Sequence, residues 1–221
     1  MYLLLFFVLP MAIGFWAQHR VKSTFAKNLE VPVANGMTGA QVARSILDAN
    51  GLNEVPVEET PGTLSDHYDP RSKSVHLSPE VYRGVSVAST AVGAHEVGHA
   101  IQHAKSYAFF QFRSAMFPAV SFASRIWMLF LFGGFILGTL GLVWVGIALY
   151  AIAVLFQLVT LPVEFDASNR AKRQLSDLGL VASPEAAGVK STLTAAAWTY
   201  VAGALASVAV LLYYLSLLQN R

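Results

Sequence analysis

Two long stretches without a charged residue constrain this chain more than any other feature of its sequence. Residues 126–163 carry no charged side chain, and neither do residues 191–220. As one helix rising about 1.5 Å per residue, the first stretch would reach about 57 Å, nearly twice the roughly 30 Å apolar thickness of a bilayer. It is therefore interpreted as two membrane spans folded into a hairpin, with the turn at 138–141.

The N-terminal segment forms a further apolar block. No basic residue precedes its apolar core, and Arg20, Lys22 and Lys27 follow it instead. A secretory signal peptide has the opposite order, so the segment is interpreted as a retained anchor with its N-terminus outside. Hydrophobic residues make up 55% of the chain and charged residues only 13%, which agrees with a membrane protein. The predicted spans lie at roughly 2–17, 120–138, 142–162 and 196–218.

Positive charge is confined to particular segments between these spans. Most lysines and arginines lie in 18–119 and 163–195 or border them, and Arg221 at the chain end is the exception. The positive-inside tendency places both segments in the cytoplasm. A net charge of +2 without a dense basic run argues against nucleic acid as a partner. The absence of cysteine excludes disulfides, thiolate zinc sites and a cysteine nucleophile.

Residues 28–105 have the pattern of a small α+β unit. Thr38 is a candidate N-cap for a helix that ends at Asn50-Gly51. Residues 54–60 alternate like a short strand, and a second strand is predicted around Lys73–Leu77. The following helix, rich in small residues, carries the motif "GAHEVGHAIQH" in its second half.

This motif has the spacing of a metal site. His95 and His99 lie four residues apart, so they share one face of a helix and can bind a single ion. Glu96 lies about 100° around the helix, where it cannot be a ligand alongside both histidines. It can instead accept a proton from a water at the metal and pass it to a leaving amine. The alternative is a chance pattern of two surface histidines, which the surrounding Val, Gly and Ala disfavour.

A third ligand has to come from elsewhere in the chain. His103 is eight residues from His95, or about 12 Å along a helix, too far to join the same tetrahedral shell. Glu164 is the first charge after the hairpin and emerges on the same membrane face as the motif. Pro162 is typical of a helix start, and the pattern predicts a helix to about Leu178. An acidic residue near a helix N-terminus is also explained by the helix dipole alone.

Taken together, the motifs resemble a known family. "AHEVGHAIQH", "PVEFDASNRA" and "SDHYDPRSKSVHLSPEVY" are similar to the YugP-like neutral zinc metallopeptidases, a bacterial membrane family. The resemblance implies a gluzincin-type peptidase that binds one Zn²⁺ per chain. It implies His95, His99 and Glu164 as zinc ligands and Glu96 as general base.

A more distant similarity extends to the CAAX prenyl proteases and heat-shock membrane metallopeptidases. The second helix of those enzymes usually carries an aspartate four residues after the ligand glutamate, where it orients a histidine. Here that position is Ser168, while the neighbouring Asp166 lies on another face of a straight helix.

Several other residues are weaker candidates. Asp66–Asp69 form a predicted polar loop that could stabilise an oxyanion, although turn chemistry explains the aspartates equally well. The Lys73–Leu77 strand could be a sheet edge that pairs with an extended peptide, or an ordinary internal strand. Arg170 and Arg173 are interpreted as juxtamembrane charges.

The predicted fold class is a mainly α membrane protein of about four transmembrane helices with a small α+β zincin-like cytosolic unit. Its predicted parts are an N-terminal transmembrane anchor (1–18), an α+β segment with the zinc helix (19–119), a transmembrane hairpin (120–162), a cytosolic helical segment with the third ligand (163–195) and a C-terminal transmembrane helix (196–221).

The leading functional prediction is a multi-pass zinc endopeptidase of the bacterial inner membrane, cutting peptide or protein substrates at the cytosolic face. Membrane proteins are among the expected substrates. One alternative is an intramembrane zinc protease, although no membrane-embedded aspartate motif is present. The other is a non-catalytic scaffold with a structural zinc, which would have no use for Glu96.

Overall fold

The computed structural model describes residues 4–219, most of which are helical. A π-helical turn (Leu4–Val8) is followed by α1 (Leu9–Leu29), α2 (Gly39–Ala49), β1 (Val57–Glu59), β2 (His67–Asp69), β3 (Ser74–Leu77), α3 (Pro79–Tyr82), α4 (Val87–Ala104), α5 (Ala108–Ile136), α6 (Leu140–Asp177) and α7 (Ala186–Gln219).

Within residues 4–219, three helices are long and apolar enough to cross a bilayer, namely α5, α6 and α7. This result agrees with the predicted hairpin and C-terminal span. The fourth span, predicted at 2–17, is not among them. Its first two residues lie outside the described part of the chain. Its helix continues to Leu29 and takes in Arg20, Lys22 and Lys27, so the N-terminal span remains a prediction.

The two hairpin helices meet at a short turn, residues 137–139, where Gly138 has a φ of +65°. The observed turn overlaps the predicted one at 138–141, although residues 140 and 141 already belong to α6. The predicted helix start at Pro162 is wrong, because α6 runs through this proline without a break. Proline removes one helical hydrogen bond, but Thr160 and Val163 on either side are buried, and packing across the proline keeps the helix continuous. One helix therefore carries both an apolar segment and Glu164.

The small sheet has the strand order β1-β3-β2. Strand β1 pairs parallel with β3, and β2 pairs antiparallel with it. The central position of β3 overturns the idea that the Lys73–Leu77 strand is an edge. The edges are β1 and β2. Residues His67–Asp69, interpreted from the sequence as part of a loop, form the edge strand β2.

Helix α4 lies at the centre of the α+β unit, packed against α2 on one side and α6 on the other. Its residues are almost all buried from Val87 to Gln102. The predicted N-cap of α2 is confirmed, since Thr38 and Gln41 form a capping box. The main hydrophobic core also includes Leu175 of α6 and Leu193 of α7. The polar ends of the long helices therefore share one core with the α+β unit, which fixes their position relative to α4.

Candidate metal centre

The structure brings together the three residues predicted to bind zinc. One potential ligand atom from each of His95, His99 and Glu164 lies within 4.8 Å of the others. The Oε2 atom of Glu164 is 3.2 Å from Nε2 of His95 and 3.6 Å from Nε2 of His99. Glu164 is 3% exposed, so this carboxylate is held in a nearly dry site by α6 while the histidines come from α4.

The close approach of α4 and α6 depends on Gly98, which lies between the two histidines in the sequence. A Cβ atom added at Gly98 would be 2.6 Å from the carbonyl oxygen of Ala167 on α6. No side chain fits there without moving one backbone away from the other. The glycine therefore sets the distance at which Glu164 faces the histidines.

Gln102 fixes the orientation and tautomer of His99. Its Nε2 donates hydrogen bonds to the backbone carbonyl of Val163 at 2.7 Å and to the Asp166 carboxylate at 2.8 Å. Both partners only accept, so the amide oxygen of Gln102 must be the atom 3.0 Å from Nδ1 of His99. That oxygen accepts the Nδ1–H of His99. Nε2 of His99, on the side of Glu164, is then left with its lone pair for a metal.

The Nδ1 atom of His95 also has a hydrogen-bond partner, at a longer distance than that of His99. The hydroxyl of Ser168 lies 3.2 Å from its Nδ1. Ser168 lies four residues after Glu164, about one helical turn further along α6. Asp166 does not contact a histidine but forms an ion pair with Arg170 and accepts from Gln102. Arg170, interpreted from the sequence as a juxtamembrane charge, therefore holds Asp166. Asp166 in turn accepts from Gln102, the residue that orients His99.

Arg113 of α5 contacts the proposed ligand Glu164 directly. Its Nη1 donates to Oε1 of Glu164 at 2.9 Å. One carboxylate oxygen is thereby held by the guanidinium, while the other faces the two histidines. The sequence indicates only a charge near the membrane at this position. The contact joins residues 51 positions apart, and no local pattern could have revealed it.

Glu96 is buried next to this cluster, with 7% of its surface exposed. Burial raises its pKa to about 7, although the nearby His95 and the backbone N–H of Tyr68 lower it in part. A carboxyl group with a pKa near neutrality can both accept and release a proton under physiological conditions. The role of Glu96 as general base stays a prediction.

His103 is separate from the cluster. Its Nδ1 is 2.9 Å from the hydroxyl of Tyr68 on β2, and it is not among the residues whose ligand atoms converge. Asp66 accepts the backbone N–H of Ser78 at 2.7 Å, so its carboxylate joins the segment before β2 to the residue that precedes α3. The argument from helical distance against His103 as third ligand agrees with this geometry.

The donor set fits a zinc ion. Two imidazole nitrogens and one carboxylate oxygen are the combination found in catalytic zinc sites that keep one position open for water or substrate. The far ring nitrogens of His99 and His95 are hydrogen-bonded to the Gln102 amide oxygen and to the Ser168 hydroxyl, which meets the usual requirement for outer partners of metal-binding histidines. These features identify the cluster as a site that could hold a metal.

Comparison with known proteins agrees with this chemistry. The chain belongs to the family described as "Putative neutral zinc metallopeptidase", which it matches over residues 2–219. It is similar to the "Putative membrane protease YugP" of Bacillus subtilis (strain 168), with 48% identity over 213 residues. That alignment covers 96% of this chain and 95% of the relative. The resemblance noted from the motifs is therefore confirmed. No solved structure matches the chain significantly.

Proposed function

We propose that this protein is a membrane-embedded, zinc-dependent endopeptidase. The observation that carries the proposal is the convergence of His95, His99 and Glu164 on one point, with the Glu96 carboxyl buried beside it. Three protein ligands leave a fourth position free, which is typical of catalytic rather than structural zinc. Family membership and the similarity to a membrane protease support the same conclusion.

Each protein group has a distinct part in the proposed reaction. Zinc held by His95, His99 and Glu164 would supply Lewis acidity for water and for the scissile carbonyl. Glu96 accepts a proton from the attacking water and delivers it to the leaving amine. Arg113 keeps Oε1 of Glu164 occupied, so Oε2 remains directed at the histidines.

We further propose that α5, α6 and α7 cross the bilayer and that the α+β unit lies in the cytoplasm. The length and apolar character of the three helices support membrane insertion. The concentration of lysine and arginine in the segments around the metal site supports a cytoplasmic orientation. Substrates would then be peptides or proteins that reach the cytosolic membrane surface.

The test uses full-length protein purified in detergent. We expect about one zinc per chain, cleavage of a peptide library, and loss of cleavage with a chelator that is restored by zinc. Glu96→Gln should retain zinc but lose activity by at least about a hundredfold, because it removes the proton acceptor and leaves the ligands in place. Cleavage by Glu96→Gln at the wild-type rate would refute the role of Glu96, and metal-free protein that cleaves normally would refute the zinc mechanism.

A further inference from the structure

A cleft of about 820 Å³ opens next to the metal centre. One wall is formed by β2 and the turn that follows it, including Tyr68 and Arg71. The opposite wall is the first part of α5, including Arg113 and Phe117, and Phe156 of α6 also lines the cleft. This volume lies within the range of about 300–1,000 Å³ typical of ligand pockets.

The cleft is connected to the catalytic groups through two of its lining residues. Arg113 lines the cleft and donates to Glu164. Tyr68 lines it as well, and its backbone N–H approaches the Glu96 carboxylate. A chain lying in the cleft would therefore touch two residues that themselves contact the proposed zinc ligand and the proposed general base.

The lining combines aromatic rings with guanidinium groups. The Arg113 guanidinium lies 5.3 Å from the centre of the Phe110 ring, and that of Arg71 lies 5.6 Å from the centre of the Phe117 ring. Rings in this position hold an arginine side chain in place without neutralising its charge. The walls therefore suit apolar side chains, while the charged groups suit an anion.

The two arginines differ in whether they form a close ion pair. Arg113 is paired with Glu164, whereas Arg71 makes no ion pair within 4.0 Å among residues 4–219. The nearest acidic cleft residue, Asp69, is engaged in the turn, where its Oδ1 accepts the backbone N–H of Arg71 at 2.8 Å. The Arg71 side chain is thus exposed at the cleft, positioned by Phe117, and available to a carboxylate.

We propose that this cleft binds the substrate as an apolar peptide segment that carries a carboxylate, and that Arg71 recognises this carboxylate. The inference rests on the proposed peptidase function and specifies its substrate class. The carboxylate can come from an acidic side chain or from the C-terminus of the substrate, because a guanidinium pairs equally with both. Arg71 acts in specificity and takes no part in the chemical step.

The test compares peptides that differ by a single charge. A glutamate is moved along an otherwise apolar fluorogenic peptide, with glutamine at the same position as the neutral match, and kcat/KM is measured with the zinc-loaded full-length protein. We expect glutamate to be preferred by roughly three- to tenfold at one or two adjacent positions. Peptides with a free or an amidated C-terminus separate the two sources of the carboxylate.

Variants of the turn then assign the preference to one side chain. Arg71→Gln should bring the glutamate-to-glutamine ratio close to one, and Arg71→Glu should favour lysine at the same position. Lys73→Gln is the matched control, since it removes the same charge two residues away from a side chain that does not line the cleft. It should keep the wild-type ratio. A merely structural role of Arg71 would lower all rates together without reversing the preference.

A binding measurement separates failure of this inference from failure of the proposed function. Fluorescence anisotropy with labelled glutamate and glutamine peptides on the Glu96→Gln variant, with and without Arg71→Gln, requires no turnover. If the peptides bind with the Arg71-dependent preference but wild-type protein cleaves none, the cleft assignment stands and the peptidase proposal fails. If wild-type protein cleaves both peptides equally, or Arg71→Glu leaves the preference unchanged, recognition by Arg71 is refuted.

Discussion

Replacing Gly98 by alanine should weaken zinc binding without touching any ligand. The added Cβ would lie 2.6 Å from the carbonyl oxygen of Ala167, whereas ordinary contact begins near 3.4 Å. Because both groups are held on helix backbones, α6 has to move away from α4 by about 0.8 Å. Metal–ligand distances tolerate only about ±0.2 Å. We therefore expect a loss of zinc affinity of about 10- to 100-fold, comparable to that of disturbing an outer partner of a ligand.

The effect must be distinguished from general destabilisation, and Gly93 provides the control. It lies on the same helix, and a Cβ there would be 2.7 Å from the carbonyl oxygen of Gly39 on α2. Overpacking of this kind costs about 1–3 kcal/mol, so both variants should unfold at similarly lowered temperatures without zinc. Because α2 carries no proposed ligand, Gly93→Ala should keep the wild-type zinc affinity.

Zinc affinity is measured by competition with a chromophoric chelator, and stability by thermal melting of the metal-free protein in detergent. Wild-type affinity in Gly98→Ala would refute the idea that this contact sets the position of Glu164. An equal loss of affinity in Gly93→Ala would show that the metal site responds to any strain in α4.

Three further predictions concern the site and its orientation. Glu164→Ala should lose zinc on mild dialysis. His103→Ala should keep about one zinc per chain, because His103 is hydrogen-bonded to Tyr68 and is not a proposed ligand. If metal analysis gave the reverse pattern, Glu164 would not be the third ligand. Gln102→Glu keeps an acceptor for His99 but loses the N–H donors to Val163 and Asp166. The free energy of unfolding of Gln102→Glu should therefore fall by about 2 kcal/mol or more, which lowers its melting temperature. Its zinc affinity should fall less than that of Gln102→Leu. Identical melting of Gln102→Glu and wild type would contradict this expectation. Ser72→Cys introduces a single cysteine into a chain that has none, and it should react with a membrane-impermeant maleimide only in opened cells, so labelling of intact cells would reverse the proposed orientation.

The features predictable from the sequence are those encoded within one helix or one apolar block. The spacing of His95 and His99 places both on one face of a helix whatever surrounds it. The uncharged stretch at 126–163 has a length that only a hairpin accommodates in a bilayer. Thr38 caps α2 through bonds to a residue three positions away. In each case the physical cause lies close to the residue in the chain.

The features missed from the sequence depend on contacts between distant segments. The role of Arg113 requires α5 to pack against α6, and the central place of β3 requires pairing with strands on both sides. Strand β2 depends on its antiparallel pairing with β3, a contact that residues His67–Asp69 alone do not signal. Pro162 follows a sound local rule for helix starts, but buried residues on both sides override it.

If α6 spans the bilayer as proposed, its continuity makes the proposed zinc site responsive to the bilayer itself. Glu164 lies about 36 Å along this helix from Leu140, at a rise of about 1.5 Å per residue. If the helix crosses the membrane as proposed, a tilt of about 5° around its far end would carry Glu164 sideways by about 3 Å, many times the tolerance of a metal ligand. Transmembrane helices adjust to bilayers of different thickness partly by tilting. In a bilayer, the packing of α6 against Gly98 would restrain Glu164 against such tilting. We therefore expect the metal affinity to vary with lipid chain length when this packing is loosened.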